Sequence, residues 1–262
     1  MPFNTLTHRA AAAAVLMIAW IAVMSKIPPA YPFPHSFHYD VASPILALEI
    51  SRNAGDIDAV LHRDDPEATE DSKKQAAEFE RISNYLDLVF IPLYAFFFWS
   101  LARVFTDRTR LLTVLIIGAG LFDYIEDWRI GLALKGENPP IYLPSLAKWG
   151  LLGLVLLATG IILLRSRSPV YSLPTKRLLA IAYFIAGLLM ILSVALGFII
   201  GYSLIGLSIM LIAVLVVIHV FGLLGHFFKI PGIKLTYVEN FCEERKKAGK
   251  ELLTAVKPGP AE

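Results

Sequence analysis

Six separated apolar runs, each about as long as the hydrocarbon core of a bilayer is thick, constrain this 262-residue chain more than any other feature. They lie at residues 8–27, 84–103, 111–133, 146–164, 178–200 and 203–228. A helix needs about 20 apolar residues to cross ~30 Å of hydrocarbon. In lipid every main-chain donor and acceptor has to be satisfied within the segment, which leaves the α-helix as the form such runs take. The expected fold is therefore all-α: a polytopic transmembrane helix bundle of about six spans, with a helical extramembrane segment between spans one and two. Composition agrees: 56% of residues are hydrophobic and 18% charged, against about 45–50% and 25% in soluble domains. Pro28-Pro29 ends the first run, Pro144-Ser145 opens the fourth, and Pro231-Gly232 closes the sixth. Gly201-Tyr202-Ser203 alone separates the last two, which suits a tight helical hairpin.

The first run has two readings. Arg9 followed by Ala10 to Met24 has the outline of a signal peptide. No small-x-small cleavage site follows, and Lys26-Ile27-Pro28-Pro29 comes directly after, so an uncleaved helix is the favoured reading. Four regions result: residues 1–27 as the first transmembrane helix or signal anchor, 28–83 as an acidic periplasmic segment, 84–228 as a five-helix transmembrane core, and 229–262 as a basic cytoplasmic tail. Orientation follows from Lys and Arg in the short loops. Arg103, Arg108 and Arg110 follow the second span, Arg165, Arg167, Lys176 and Arg177 the fourth, and Lys229 and Lys234 the sixth. The opposite loop at 135–145 has only Lys135. Both termini are expected in the cytoplasm, and the protein in the plasma (inner) membrane.

Within 28–83 acidic residues outnumber basic ones. Ser43-Pro44 is an N-cap followed by proline at the first helical position, and Val41, Ile45, Leu48 and Ile50 form a stripe. A second short helix fits Asp56 to His62. From about Asp71 the pattern runs unbroken into the second span, so that helix projects beyond the bilayer. The tail from Leu235 to Val256 reads either as a basic helix beside an anionic leaflet or as an ordinary soluble tail.

Several functions are excluded. A lone cysteine, Cys242, forms no intrachain disulfide and no cysteine-cluster metal site. Basic residues are scattered at helix ends, so no nucleic acid is expected as partner. No phosphate loop, nucleophile elbow or His-Glu-x-x-His pattern occurs. No cofactor and no metal site are expected; His35, His38 and Asp40 have a spacing that a metal accepts but no further ligand pattern. His219, inside the sixth span, fits an interhelical hydrogen bond better than a proton relay. Partners beyond membrane lipids and a lipid-like or cationic small ligand are not specified.

Ionisable groups inside a span are costly and need a reason. Asn84 and Asp87 share one face of the second span. The third carries Asp123, Glu126 and Asp127 at i, i+3 and i+4, with Arg129 beyond, and the fourth begins with Lys148. At 1.5 Å per residue from the inner arginines, Asp87, Glu126 and Lys148 stand at one level, about 24–26 Å away, and Asp123 a turn deeper. Four carboxylates outnumber Arg129 and Lys148. Pro92 cannot donate to the carbonyl of Leu88, so a kink is expected beside Asp87. Ile91, Tyr94 and Phe98 continue the Asp87 face inward as the floor of a cavity, and Gly118, Ala119 and Gly120 allow the third span to approach a neighbour closely. The candidate ligand-binding set is Asn84, Asp87, Tyr94, Asp123, Glu126, Asp127 and Lys148. The rival readings are end-of-helix charges that reach out to the interface, or a purely structural ion pair on Lys148.

These motifs resemble a broad set of uncharacterised bacterial polytopic membrane proteins. The run Leu86-Asp87-Leu88-Val89-Phe90-Ile91-Pro92-Leu93-Tyr94, then Asp123-Tyr124-Ile125-Glu126-Asp127, then Lys148, with Leu46-Ala47-Leu48-Glu49-Ile50 upstream, carries the likeness over about residues 41–165. It departs at Asp127, where Asn is usual, and in the last two spans. The likeness implies a site and no activity. Three functions remain open: a binding or transport protein with an outward-facing carboxylate pocket for a cation, proton or amphiphile; an intramembrane acid/base enzyme acting on a lipid or isoprenoid; and a membrane assembly or accessory protein.

Overall fold

A computed structural model describes residues 3–28, 44–166, 170–196 and 202–228. The described residues form helices and no strands: α1 (Phe3–Met24), α2 (Pro44–Glu49), α3 (Ala54–Val60), α4 (Glu70–Phe105), α5 (Arg110–Leu134), α6 (Tyr142–Arg165), α7 (Leu173–Ala195) and α8 (Tyr202–Phe228). His35, His38, Asp40, Gly201 and the basic tail lie outside the described residues, whereas Tyr202 and Ser203 belong to α8.

Local chemistry sets the helix starts. The Thr69 hydroxyl accepts from the Ser72 amide and opens α4, and Ser172 does the same for α7 from Thr175, with Pro174 in the first turn. The Asn53 side chain accepts from the Asp56 amide at 3.0 Å, so α3 starts two residues before the expected Asp56. It ends before His62, whose φ of 56° leaves helical geometry. Pro92 falls inside α4 without ending it. With 36 residues, α4 is about 54 Å long, well beyond the thickness of a hydrocarbon core.

Five helices, α1, α4, α6, α7 and α8, are long and apolar enough to cross a membrane. The sixth expected span, α5, carries Asp123, Glu126 and Asp127 near its C-terminal half and falls short on composition. It nevertheless lies between α4 and α6. The long helices close into a ring: α4 beside α1 and α5, α6 beside α5 and α7, and α8 beside α7 and α1. One apolar core lies within this ring, with Phe97, Leu101, Tyr183 and Met190 fully buried in it.

A second, smaller core joins α2 and α3 to the ends of three long helices. Leu48, Ile50, Ile57 and Leu61 are packed with Ile130, Ile141 and Ile205. Arg63 reinforces the join, donating to the main-chain oxygens of Ala133 (2.8 Å) and Leu134 (3.3 Å) at the C-terminus of α5, where the unpaired carbonyls favour a cation. The two short helices thus form a cap over one end of the ring.

Neighbours do come close at Gly118 and Gly120, as expected from the sequence, but a tighter approach lies elsewhere. A Cβ there would meet only side chains, Leu151 at 3.2 Å and Ile91 at 3.3 Å. The tight seam is between α6 and α7: a Cβ on Gly187 would stand 2.8 Å from the Gly153 carbonyl oxygen, and one on Gly160 3.1 Å from that of Ala180. Main chain cannot yield as a side-chain tip does. His219 on α8 is fully buried and hydrogen-bonds through Nδ1 to the Tyr171 hydroxyl at 2.8 Å, so its partner lies in the connection ahead of α7 and not on a facing helix as expected. Gly187→Ala should lower stability by about 1–3 kcal/mol, read as a loss of midpoint in thermal unfolding of the detergent-solubilised protein, with Gly118→Ala much milder.

Candidate functional site

The Lys148 side chain is only 4% exposed, and it meets three carboxylates drawn from two elements of the ring and cap. Its Nζ lies 3.1 Å from Glu49 Oε1 on α2 and 3.0 Å from Asp123 Oδ1 on α5, and it also pairs with Glu126 on α5. Glu49 is held twice more. Its Oε2 accepts from the Trp149 indole at 3.0 Å, and its main-chain oxygen accepts from the Ser145 hydroxyl at 2.6 Å. Ser145 also hydrogen-bonds Glu126. Asp123 Oδ2 accepts from the Tyr94 hydroxyl of α4 at 2.9 Å. One ammonium therefore ties the cap, α5 and α6 together, and Asp123 passes the connection to α4.

Sequence spacing explains these meetings. Ser145 and Lys148 are three apart on the first turns of α6, and Asp123, Glu126 and Asp127 share the inward stripe of α5. The opposite stripe of α5 is apolar and exposed, with Leu111 at 70% and Val114 at 67%. Such a helix turns its charge inward and its grease outward, the reverse of a helix in water.

The sequence-derived candidates fall into three groups. Asp87, Tyr94, Asp123 and Lys148, together with Glu49, line a half-open cavity of about 510 Å³ within the ring. Apart from Ser25 and Ser83, the rest of its wall is apolar and comes from the cap and from every long helix except α5, including Met17, Phe98, Leu152, Met190 and Ile212. Tyr94 and Phe98 are on this wall as expected, whereas Ile91 is not and packs toward Gly120. Glu126, fully enclosed and bonded to Lys148 and Ser145, faces no cavity and serves the ion-pair network. Asn84 and Asp127 line a second cavity of about 480 Å³ between α4 and α5.

The rival reading of charges reaching the interface fails for two residues, and one counted cation drops out of the cluster. Asp127 and Lys148 do not reach out to an interface; they are 2% and 3% exposed. Arg129 does not neutralise the cluster, because its guanidinium donates to the Pro140 main-chain oxygen. Among the described residues the cluster thus sets one cation, Lys148, against five carboxylates: Glu49, Asp87, Asp123, Glu126 and Asp127. One oxygen from each of Asp87, Asp123 and Asp127 lies within 4.8 Å of the others. Two more buried groups stand nearby on α4 without hydrogen-bond partners, the Glu80 carboxyl and Asn84 Oδ1.

Glu49, Ser145 and Trp149 are the site residues that motif reading passed over. Glu49 sits outside every apolar run and looked like one of many surface acids. The available signal was its position at the end of Ile45-Leu46-Ala47-Leu48, where a short apolar helix delivers it to buried surroundings. Burial pushes the Glu49 carboxyl above its ordinary range, against the opposing pull of Lys148. No protein-family model matches the chain, and no curated protein or solved structure matches it.

Removing one partner from a buried ion pair strands the other charges, which costs about 3–5 kcal/mol. Lys148→Met should therefore destabilise the protein by that order in denaturant or thermal unfolding, more than Arg129→Met, whose side chain is bonded at the surface.

Proposed function

We infer that this chain is a multi-pass membrane protein that binds an amphiphile inside its helix ring, the apolar body in the chamber and a hydrogen-bond-donating head, a hydroxyl or an ammonium, against Asp87. The reading rests on one observation: a cavity with an apolar wall has its polar groups gathered at one end, and acceptors exceed donors there. Its volume, about 510 Å³, falls in the range of small-molecule sites, about 300–1,000 Å³. Asp87 has no hydrogen bond or ion pair among the described residues and is the group left to receive a ligand. Lys148, engaged by three acids, is not.

Membrane insertion in this reading has six crossings. α5 counts as one because it runs between two apolar helices with its acids inward and its apolar stripe outward. The loop charges put both termini in the cytoplasm of a bacterial inner membrane, so the cap and the acid cluster face the periplasm. The resemblance over residues 41–165 is compatible with this arrangement and adds no activity to it.

A second reading has its own observation. Tyr94, Asp123 and Lys148 form a hydrogen-bonded chain beside the unpartnered Asp87, which is the equipment of general acid/base chemistry on a bound lipid or isoprenoid. The two readings separate on the fate of the amphiphile, recovered unchanged or altered.

Native mass spectrometry of the protein extracted in mild detergent tests the main proposal. A retained amphiphile is expected, lost on Leu152→Trp, which fills the chamber. Added long-chain amines or alcohols should raise the Tm and carboxylates of equal chain length should not, with Asp87→Asn abolishing the difference. No retained species, and equal responses to all three head groups, would contradict it.

A further inference from the structure

The second cavity holds groups that the amphiphile reading does not use. It opens between α4 and α5 and is lined by Asn84, Asp127, Tyr85, Tyr124 and Trp128, with Arg81 and Lys135 also on its wall. Asp127 is 2% exposed, and its Oδ2 has no hydrogen-bond partner. Asn84 is 9% exposed, and its Oδ1 is likewise unpartnered. Behind Asp127 stand Asp87 and Asp123, each with a carboxylate oxygen within 4.8 Å of the others. Two oxygens bound to one calcium ion at 2.3–2.6 Å stand at most about 5 Å apart, so the three aspartates are already within the span of a single ion.

Every one of these groups offers an oxygen acceptor. Lys148 reaches only Asp123 of the three. Arg81 is held by Glu78 through two hydrogen bonds of 2.9 and 2.6 Å at an exposed position, and Lys135 is exposed. An unpartnered buried acceptor costs about 1–3 kcal/mol, and more when charged. Here two aspartates and an amide oxygen share that condition in one place.

We propose that Asp87, Asp123 and Asp127, with the amide oxygen of Asn84, bind a divalent hard cation, Ca²⁺ or Mg²⁺, between α4 and α5. An all-oxygen donor set suits these ions and not the softer metals that favour His and Cys. The ion supplies two positive charges where two carboxylates lack a partner, and it clamps α4 to α5 on the side of the cluster away from Lys148. Helical spacing singles out all four residues, but their ligation of one ion is not a linear motif, because they come in pairs from two helices, Asp87 and Asp123 standing 36 residues apart. The amphiphile chamber shares Asp87 and Asp123 but neither Asp127 nor Asn84, so the two sites are separable by mutation.

Full-length protein, stripped with chelator and reconstituted in lipid nanodiscs, is titrated with CaCl₂ and with MgCl₂ at constant ionic strength. A saturable rise in Tm with at least one of them is expected, unmatched by KCl. Tb³⁺ gives an independent signal: Trp128, Tyr124 and Tyr85 on the same cavity should sensitise its emission, and Ca²⁺ or Mg²⁺ should quench that emission by displacement. Asp127→Asn should weaken binding by about tenfold or more, the equivalent of one charged ligand, while Leu152→Trp leaves it unchanged. Asn84→Leu provides the same test should Asp127→Asn fail to fold. A response no larger than that to KCl, with no displaceable Tb³⁺ emission, would overturn the proposal, as would wild-type affinity in a folded Asp127→Asn or Asn84→Leu protein. Either failure leaves the head-group preference of the amphiphile chamber untouched.

Discussion

A single buried ammonium organises the polar end of this structure. Lys148 could not remain in the ring without acids around it, since an unpaired charge removed from water costs several kcal/mol. The acids in turn come from elements that have little else in common: α5, which composition alone barely admits to a membrane, and the short helix α2. Glu49 is bound to Lys148 and Trp149 through its carboxylate and to Ser145 through its main chain. The cap is consequently anchored by polar contacts at its centre and by the Leu48–Ile57–Ile141 cluster around them.

The same arrangement explains why the chamber has two unlike ends. Toward the far end, apolar side chains such as Phe98, Leu156 and Val216 make its wall. Toward the cap, Asp87, which Lys148 does not pair with, stands at the cavity surface beside Glu49 and Asp123. A ring without α5 would lose this asymmetry, because α5 contributes Asp123 to the chamber, Glu126 to the ion-pair network and Asp127 to the second cavity. Three acids within five residues thus serve three different surroundings, a consequence of the 100° turn between successive helical positions.

Much of this was legible in the sequence, and the reasons are specific. Apolar length located the helices, since a lipid-facing run has a fixed required extent. Helical spacing put Asp87, Tyr94, Asp123 and Lys148 at one end of one space, since residues three and four apart share a face. What escaped was what depends on chain reversal. Glu49 enters the site only because the Ser51–Arg52–Asn53 break folds α3 back beside α2, and no periodicity in 44–62 announces that the pair will lie on Ile130 and Ile141. Arg129, counted with Lys148 as a cation near the acids, is drawn off for a similar reason: the loop at 135–141 returns close enough to offer the Pro140 carbonyl. The α6–α7 glycine seam went unread because Gly153, Gly160 and Gly187 are dispersed along two helices, whereas Gly118-Ala119-Gly120 forms a visible run.

The account stands on the direct bond between the cap and the ring through Glu49 and Lys148, and a double-mutant cycle measures it most directly. Unfolding free energies are compared for the wild type, Glu49→Gln, Lys148→Met and the double variant. A coupling energy of about 1–3 kcal/mol, in the range for residues in contact, is the predicted result. Strictly additive effects of the two substitutions would show that the carboxylate and the ammonium do not meet, and the cap would lose its place over the chamber.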